Sequence, residues 1–469
     1  MRYFIDPFGC VKNQVDAENM MSRLNEAGWQ CAPAAEDADL IIVNSCGFIE
    51  SAKQESINAV LGWRKLYPEK KILLAGCLAQ RYSKELAESM PEADGFFGVA
   101  NLAEISQTAS KLMNSTAANS EAVNVEDINA KHSSTVPADA QPTGRRPLLS
   151  LPGSAYVKIS EGCGNRCSFC AIPLIRGGLV SRTIPDIVEE CRVLLERGIK
   201  ELCVIGQDTG SFGTANAGTA NAGTANAASS KLPELLNAVS SLEGNFWVRL
   251  LYIHPDHFPL QILDIMERDP RFLPYFDIPF QHASAKILAA MNRKGTAEKY
   301  LNLLETIRDR LPQAVIRSTF LLGFPGETEE DFAALLDFQE KAALDWLGCF
   351  TYSREEGTAA FSMKGRVPAK TAMSRKQAIE ERQIPITEKN MERFTGKTLD
   401  VLIEEQIESA AEDGENFWLG RLYCQAPDID GAAVITGGAS GGKNPQAGSL
   451  VPCKVTARRS FDLEVILTI

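Results

Sequence analysis

Cys163, Cys167 and Cys170 stand in the run Glu161-Gly-Cys-Gly-Asn-Arg-Cys-Ser-Phe-Cys-Ala-Ile-Pro173, with no fourth cysteine or histidine close behind. The spacing is Cys-x3-Cys-x2-Cys. Structural zinc closes its tetrahedron with four protein ligands, and an ordinary iron–sulfur cluster also takes four thiolates. Three thiolates in one tight loop therefore leave one iron of a [4Fe–4S] cube open to something that is not protein. From spacing alone, a zinc loop with a distant fourth ligand and three surface cysteines are the other readings.

Cys10, Cys46 and Cys77 form a second set, far apart in sequence but equivalent in position. Each closely follows an apolar run: Phe4-Ile5, Leu40-Ile-Ile-Val43 and Ile72-Leu-Leu-Ala75. In a parallel sheet the three loops lie at one edge, the carboxyl edge where open α/β sheets bind ligands. A glycine adjoins each cysteine and lets the backbone bend close around a bulky group. The set is expected to hold a second cluster with one open iron; three unrelated core cysteines are the alternative. The remaining six (Cys31, Cys191, Cys203, Cys349, Cys424 and Cys453) read as structural.

These residues need a frame, and 469 residues suffice for about three domains. Residues 1–113 alternate short apolar strands (3–5, 40–43, 72–75) with helices (16–27, 48–66), which predicts a parallel sheet. Residues 114–150 open with a stretch rich in Ser, Ala, Asn, Thr and Pro and read as a partly disordered linker. From 151 to 389 the alternation resumes, with strands expected over 155–159, 202–205, 246–252, 275–278, 315–320 and 347–352. Helices are expected over 184–197 and 327–341. Six such units suggest a partial β/α barrel with its chemistry at the carboxyl ends of the strands. The repeat Gly213-Thr-Ala-Asn-Ala217, restarted at Gly218 and Gly223, reads as a solvent loop. Over 392–469 five short strands (398–404, 417–422, 431–435, 450–457 and 462–467) predict a small β-barrel.

The formal charge is −12, a poor match for a protein whose main partner is a phosphate backbone. No leader and no membrane-length apolar run is seen, so a cytosolic protein is expected. Its twelve cysteines then read as metal ligands or core residues, not disulfides.

The open iron at Cys163, Cys167 and Cys170 resembles the radical S-adenosylmethionine (AdoMet) enzymes. Two triads, a β/α barrel and a terminal β-barrel in this order resemble their methylthiotransferase family over nearly the whole chain. The likeness is carried by residues 9–16 (GCVKNQVD), 43–49 (VNSCGFI), 155–162 (AYVKISEG), 277–284 (DIPFQHAS) and 426–431 (APDIDG). It implies an α/β chain: a flavodoxin-like N-terminal domain, a radical AdoMet partial barrel and a five-stranded OB-like TRAM barrel. It also implies two [4Fe–4S] clusters, on Cys10, Cys46 and Cys77 and on Cys163, Cys167 and Cys170, with AdoMet on the open iron of the latter. The implied reaction places a methylthio group on Cβ of an aspartate in a small-subunit ribosomal protein of the decoding centre. A one-electron donor, flavodoxin-like or similar, is a further implied partner.

A sister branch of the family modifies an adenosine in tRNA. Residues 392–469 carry twelve acidic against seven basic residues. A barrel gripping RNA should be basic with aromatic stacking platforms, whereas one recruiting a basic protein should be acidic. The balance favours the protein substrate. A third reading keeps the radical chemistry but makes the N-terminal cysteines structural. AdoMet contacts are expected among Gln207, Asp208, His254, Gln281 and His282 at strand ends, with Arg249 and Arg317 within strands. Gly323-Phe-Pro-Gly-Glu327 reads as a strand–helix turn, since it lacks the lysine of a phosphate loop.

Overall fold

The computed structural model describes residues 1–114, 143–214, 229–407, 417–436 and 444–468. The stretch expected to be disordered and most of the Thr-Ala-Asn repeat lie outside the described residues.

The N-terminal sheet has five parallel strands, β1 (Arg2–Pro7), β2 (Gln30–Cys31), β3 (Leu40–Ser45), β4 (Lys71–Gly76) and β5 (Gly95–Phe97), in the order β2-β1-β3-β4-β5. Fully buried apolar runs such as Leu40–Val43 suit a sheet covered on both faces. The short β2 and β5 are additions to the expected set. Helix α1 (Val11–Glu26) packs Ala17, Met20, Met21 and Leu24 against this sheet. It begins five residues before the expected start, because its first two turns bury Lys12, Asn13 and Asp16 among few apolar side chains.

Six parallel strands form the central sheet: β6 (Ser154–Lys158), β9 (Glu201–Ile205), β10 (Trp247–Leu250), β11 (Phe272–Asp277), β12 (Val315–Leu322) and β13 (Trp346–Thr351), with the two-stranded β7 (Ser160–Glu161) and β8 (Val180–Ser181) beside them. They run in sequence order and do not close, as the β/α alternation predicted. One face is covered by helices over Ala155, Leu202, Val248 and Ile316. The other face, carrying Tyr156, Cys203, Trp247, Tyr275 and Val315, packs against Val15 of α1 and against the terminal barrel. A long helix, Ala369–Glu392, follows β13; its charged sequence with Pro385 inside hid it from periodicity.

The terminal unit is a closed barrel of β14 (Thr398–Ile407), β15 (Phe417–Arg421), β16 (Ala433–Ile435), β17 (Leu450–Arg459) and β18 (Asp462–Leu467), ordered β14-β15-β16-β18-β17. Closure removes the unpaired strand edges that five short strands would otherwise expose. Its charged residues are partly consumed inside the molecule. Arg421 pairs with Glu404 and, at 2.6 Å, with Glu201 at the foot of β9; Asp430 accepts from Tyr275 at 2.6 Å.

Candidate cluster site between the two cysteine triads

Strands β1, β3 and β4 end side by side, so the loops carrying Cys10, Cys46 and Cys77 meet at one sheet edge. The adjoining glycines make the approach possible. A Cβ on Gly9 would lie 3.1 Å from Cys46 Sγ, and one on Gly47 would lie 2.7 Å from the Cys77 carbonyl oxygen. Asn13 of α1 ties the loops together, its Nδ2 donating to the carbonyls of Phe8 (2.7 Å), Asn44 (3.2 Å) and Ser45 (3.2 Å).

The second triad lies in the loop after β6. Cys170 N–H donates to the Cys167 carbonyl at 3.0 Å, and Cys163 N–H to that of Gly177 at 3.2 Å. Neighbouring elements pin this loop from outside. Ser168 Oγ donates to the Ala290 carbonyl at 2.7 Å, Asn292 Nδ2 to that of Arg166 at 2.9 Å, and Asn165 Nδ2 to Asp208 Oδ2 at 2.8 Å.

Iron binds thiolate, and burial favours the neutral thiol. Burial pushes Cys77, Cys163 and Cys170 each up to about 12, and raises Cys46 and Cys167 as well. A guanidinium opposes this in each triad. Arg176 Nη2 donates to Cys77 Sγ at 3.1 Å, and Arg293 beside Cys167 pulls that thiol down. A thiolate is the better partner for both cations.

Arg176 also joins the two domains. It belongs to the short helix Ile172–Arg176, directly after the second triad. Its Nη2 reaches Asp16 of α1 at 2.7 Å and its Nη1 reaches Glu161 at 2.8 Å. Lys158, at the end of β6, holds the same two carboxylates at 2.5 and 2.7 Å. Two cations and two carboxylates thus close a square, with one corner in the N-terminal domain and one cation on a cysteine of the first triad.

The expected AdoMet contacts divide. Asp208 supports the second triad, accepting from Asn165, from Ser211 at 2.5 Å and from the His254 N–H at 3.1 Å. His254 is buried, with Nδ1 accepting from Asp256 N–H at 3.2 Å and Nε2 unpartnered. Burial, helped by Arg293, pushes it down to about 2, so its imidazole is neutral. Gln207 follows β9 and is half-buried. Gln281 sits in the left-handed region (φ 68°) at the end of β11 and bridges to β12. His282 accepts from two N–H groups through Nδ1 and turns Nε2 towards Glu327 at 3.7 Å. Arg249 and Arg317 face the terminal barrel instead: Arg249 pairs with Glu201 and the Tyr423 carbonyl, Arg317 with Asp277 and Asp430. The Gly323–Glu327 segment is a turn, closed by Glu327 accepting from the Gly323 N–H at 2.7 Å.

Sequence reading missed Lys12, Asn13, Asp16, Asn165, Arg176 and Arg293. Lys12, Asn13 and Asp16 lie within the run 9–16 and Asn165 within the cysteine loop, but their roles were not legible there because partners lie up to 160 residues away. Of the cysteines read as structural, Cys191, Cys203, Cys349, Cys424 and Cys453 are buried, but Cys31 is exposed.

Among the described residues no three His, Cys, Asp or Glu side chains converge on a single-ion site. Thiolates of a cluster each ligate a different iron and need no common centre. Two sulfur-only sets, one cradled by glycines that leave no room for a Cβ and each beside a guanidinium, are donor sets of the kind that iron–sulfur clusters take.

An open parallel β/α barrel with three cysteines after its first strand defines the radical AdoMet class, and the profile of the Radical SAM superfamily matches residues 157–338. Residues 2–98 match uncharacterized protein family UPF0004, and residues 395–466 match the TRAM domain. The ribosomal protein uS12 methylthiotransferase RimO of Treponema denticola is 45% identical, covering 98% of this chain and 100% of its own length. That of Carboxydothermus hydrogenoformans is 38% identical over 99% of each. This chain belongs to the RimO methylthiotransferase family. The fold is also shared with the radical AdoMet methyltransferase TsrM of Kitasatospora setae (TM-score 0.54, 14% identity, 77% of this chain and 76% of that one). Among the described residues no helix is long and apolar enough to cross a membrane.

Proposed function

We propose that this enzyme adds a methylthio group to Cβ of an aspartate in ribosomal protein uS12. On this reading Cys163, Cys167 and Cys170 hold one [4Fe–4S] cluster with AdoMet on its open iron, and Cys10, Cys46 and Cys77 hold another. Bound there, the clusters and AdoMet would supply what no side chain can: homolysis of an unactivated C–H bond and the sulfur that replaces the hydrogen.

The protein's own part is positioning. Asn13 and the glycines hold the first triad, while Asp208, through Asn165, holds the second. The packing of α1 and the terminal barrel covers the inner face of the open sheet and would help to keep water out. The observation that supports the reading is the Asp16–Arg176–Cys77 junction, which ties the helix after Cys170 to a cysteine of the first triad. Residues 1–113, 151–389 and 392–469 are then the three working units. A ribosomal substrate makes the cytoplasm the working compartment, and an external one-electron donor such as a flavodoxin-like protein is needed.

Two measurements test this. Iron in anaerobically prepared protein should be about eight per chain, as two four-iron cubes require, and should halve on changing Cys10 or Cys163 to Ala. Incubation with AdoMet, reductant and either uS12 or tRNA should put the mass of a methylthio group on the protein. Modification of tRNA alone sinks the substrate assignment; about four irons, all lost with Cys163, sinks the second cluster.

A further inference from the structure

Lys12 is the second helical residue of α1, two positions after Cys10, and is 6% exposed. Its Nζ lies 2.8 Å from the centre of the Tyr252 ring, at the carboxyl end of β10. Among the described residues it makes no hydrogen bond and no ion pair. Lys158, the other lysine buried to this degree, holds two carboxylates.

Each carboxylate near Lys12 is already engaged. Glu161 takes Lys158 and Arg176, and Asp16 takes the same two. Asp277 accepts from Arg317 at 3.1 Å and from the Tyr252 N–H at 3.2 Å. The start of α1 is bare as well: Cys10 provides no side-chain cap, and the first turn has no acidic residue. A lysine there adds to the positive end of the helix dipole, and free N–H groups at such an end attract anions. Tyr252 is held with φ 63°, a conformation that a bulky residue adopts only under constraint. Strain, an uncapped helix start and a buried cation without an ion pair meet beside Cys10.

We infer that Lys12 binds the side-chain carboxylate of the substrate aspartate. This rests on the function proposed above and deepens it. In that reaction the carboxylate is one bond from the carbon that loses hydrogen. An ammonium held by α1 on one side and the Tyr252 ring on the other would fix that carbon between the two triads. An adenosine has no carboxylate beside its reacting carbon, so the same contact selects protein over tRNA. The methionine part of AdoMet is the other source of a carboxylate, and the cluster on Cys10 is another negative partner; the test separates all three.

The test uses cluster-loaded enzyme and two peptides spanning the modified site of uS12, one with the aspartate and one with asparagine in its place. Binding is read by fluorescence anisotropy and methylthiolation by mass spectrometry. Wild-type enzyme should bind the aspartate peptide at least tenfold more tightly than the asparagine peptide. Lys12→Met should remove most of that preference, raising KM for the aspartate peptide more than it lowers kcat, and Lys12→Arg should recover part of it. The inference is overturned if wild type does not discriminate the peptides, or if Lys12→Met weakens both equally. It is overturned too if the variant instead weakens AdoMet binding or shifts the cluster potential with the preference intact. Failure of wild type to modify the aspartate peptide or whole uS12 would instead overturn the proposed function.

Discussion

Arg176 Nη2 stands 3.1 Å from Cys77 Sγ and 2.7 Å from Asp16 Oδ2, so one guanidinium serves a cysteine of the first triad and a carboxylate of α1 together. It is carried on a helix that begins two residues after Cys170. Removing one partner from a buried ionic group leaves the others uncompensated, at about 3–5 kcal/mol. Arg176→Ala should therefore lower the unfolding free energy by about that much. Arg176→Lys should cost less, since it keeps the charge and loses the fork. Denaturant titration checks this; equal losses would mean that the charge is immaterial.

Gly47 and Gly164 each adjoin a cysteine, yet the structure treats them differently. A Cβ on Gly47 would meet the backbone of Cys77 at 2.7 Å, whereas one on Gly164 meets nothing within 4 Å. Gly47→Ala should cut iron from about eight to about four per chain by spreading the first triad, and Gly164→Ala should leave iron unchanged. Iron and sulfide analysis decides. Full iron in Gly47→Ala would refute the cradle.

Asp208 organises the second triad through Asn165 and, among the described residues, has no hydrogen bond to a cysteine. Its loss frees Asn165, Ser211 and the His254 N–H together. Asp208→Ala should release the second cluster selectively, giving about four irons and abolishing AdoMet cleavage. Retention of AdoMet cleavage at wild-type rate would show that the loop holds itself.

Asp430 supplies a test of the contact between barrel and sheet. Burial pushes its carboxyl up from 3.8 to about 6, against the pull of Arg317 and the hydrogen bonds from Tyr275 and Ala426. The folded chain thus keeps this proton more tightly than the unfolded chain. Between about pH 4 and 6 the native state binds more protons, so this group's contribution to stability falls as pH rises through that window. Asp430→Asn lacks the effect. The melting temperature of wild type minus that of the variant should drop by roughly 3 °C between acidic and neutral pH. A gap that stays constant or widens would contradict the assignment.

The layout was legible in the sequence wherever the signal was local. Cys163, Cys167 and Cys170 share a loop, and Cys10, Cys46 and Cys77 repeat one position relative to their strands, so spacing and register revealed both sets. The six barrel strands and five terminal strands showed as apolar or alternating runs. Strands β2 and β5, with two and three residues, are too short to leave a pattern. The junction was invisible for another reason. Lys12, Asn13 and Asp16 look like the wet start of a helix; Asn13 is buried by the loops of its own domain, and Lys12 and Asp16 meet Tyr252, Lys158 and Arg176 only when the barrel arrives. Arg249 and Arg317 misled in the opposite sense: a place within a barrel strand suggested a ligand, but both side chains are taken up at the terminal barrel.

Asp16 is held by two cations of the barrel while its own helix starts directly after Cys10. A swing that parted the N-terminal domain from the barrel would strip three charges in a dry setting, a steep climb for thermal motion. The spacing between the triads is thus decided at folding, not at substrate capture. On the proposed function the molecule would work as a gauge and not as a jaw: a group crossing from one triad to the other would travel a constant distance.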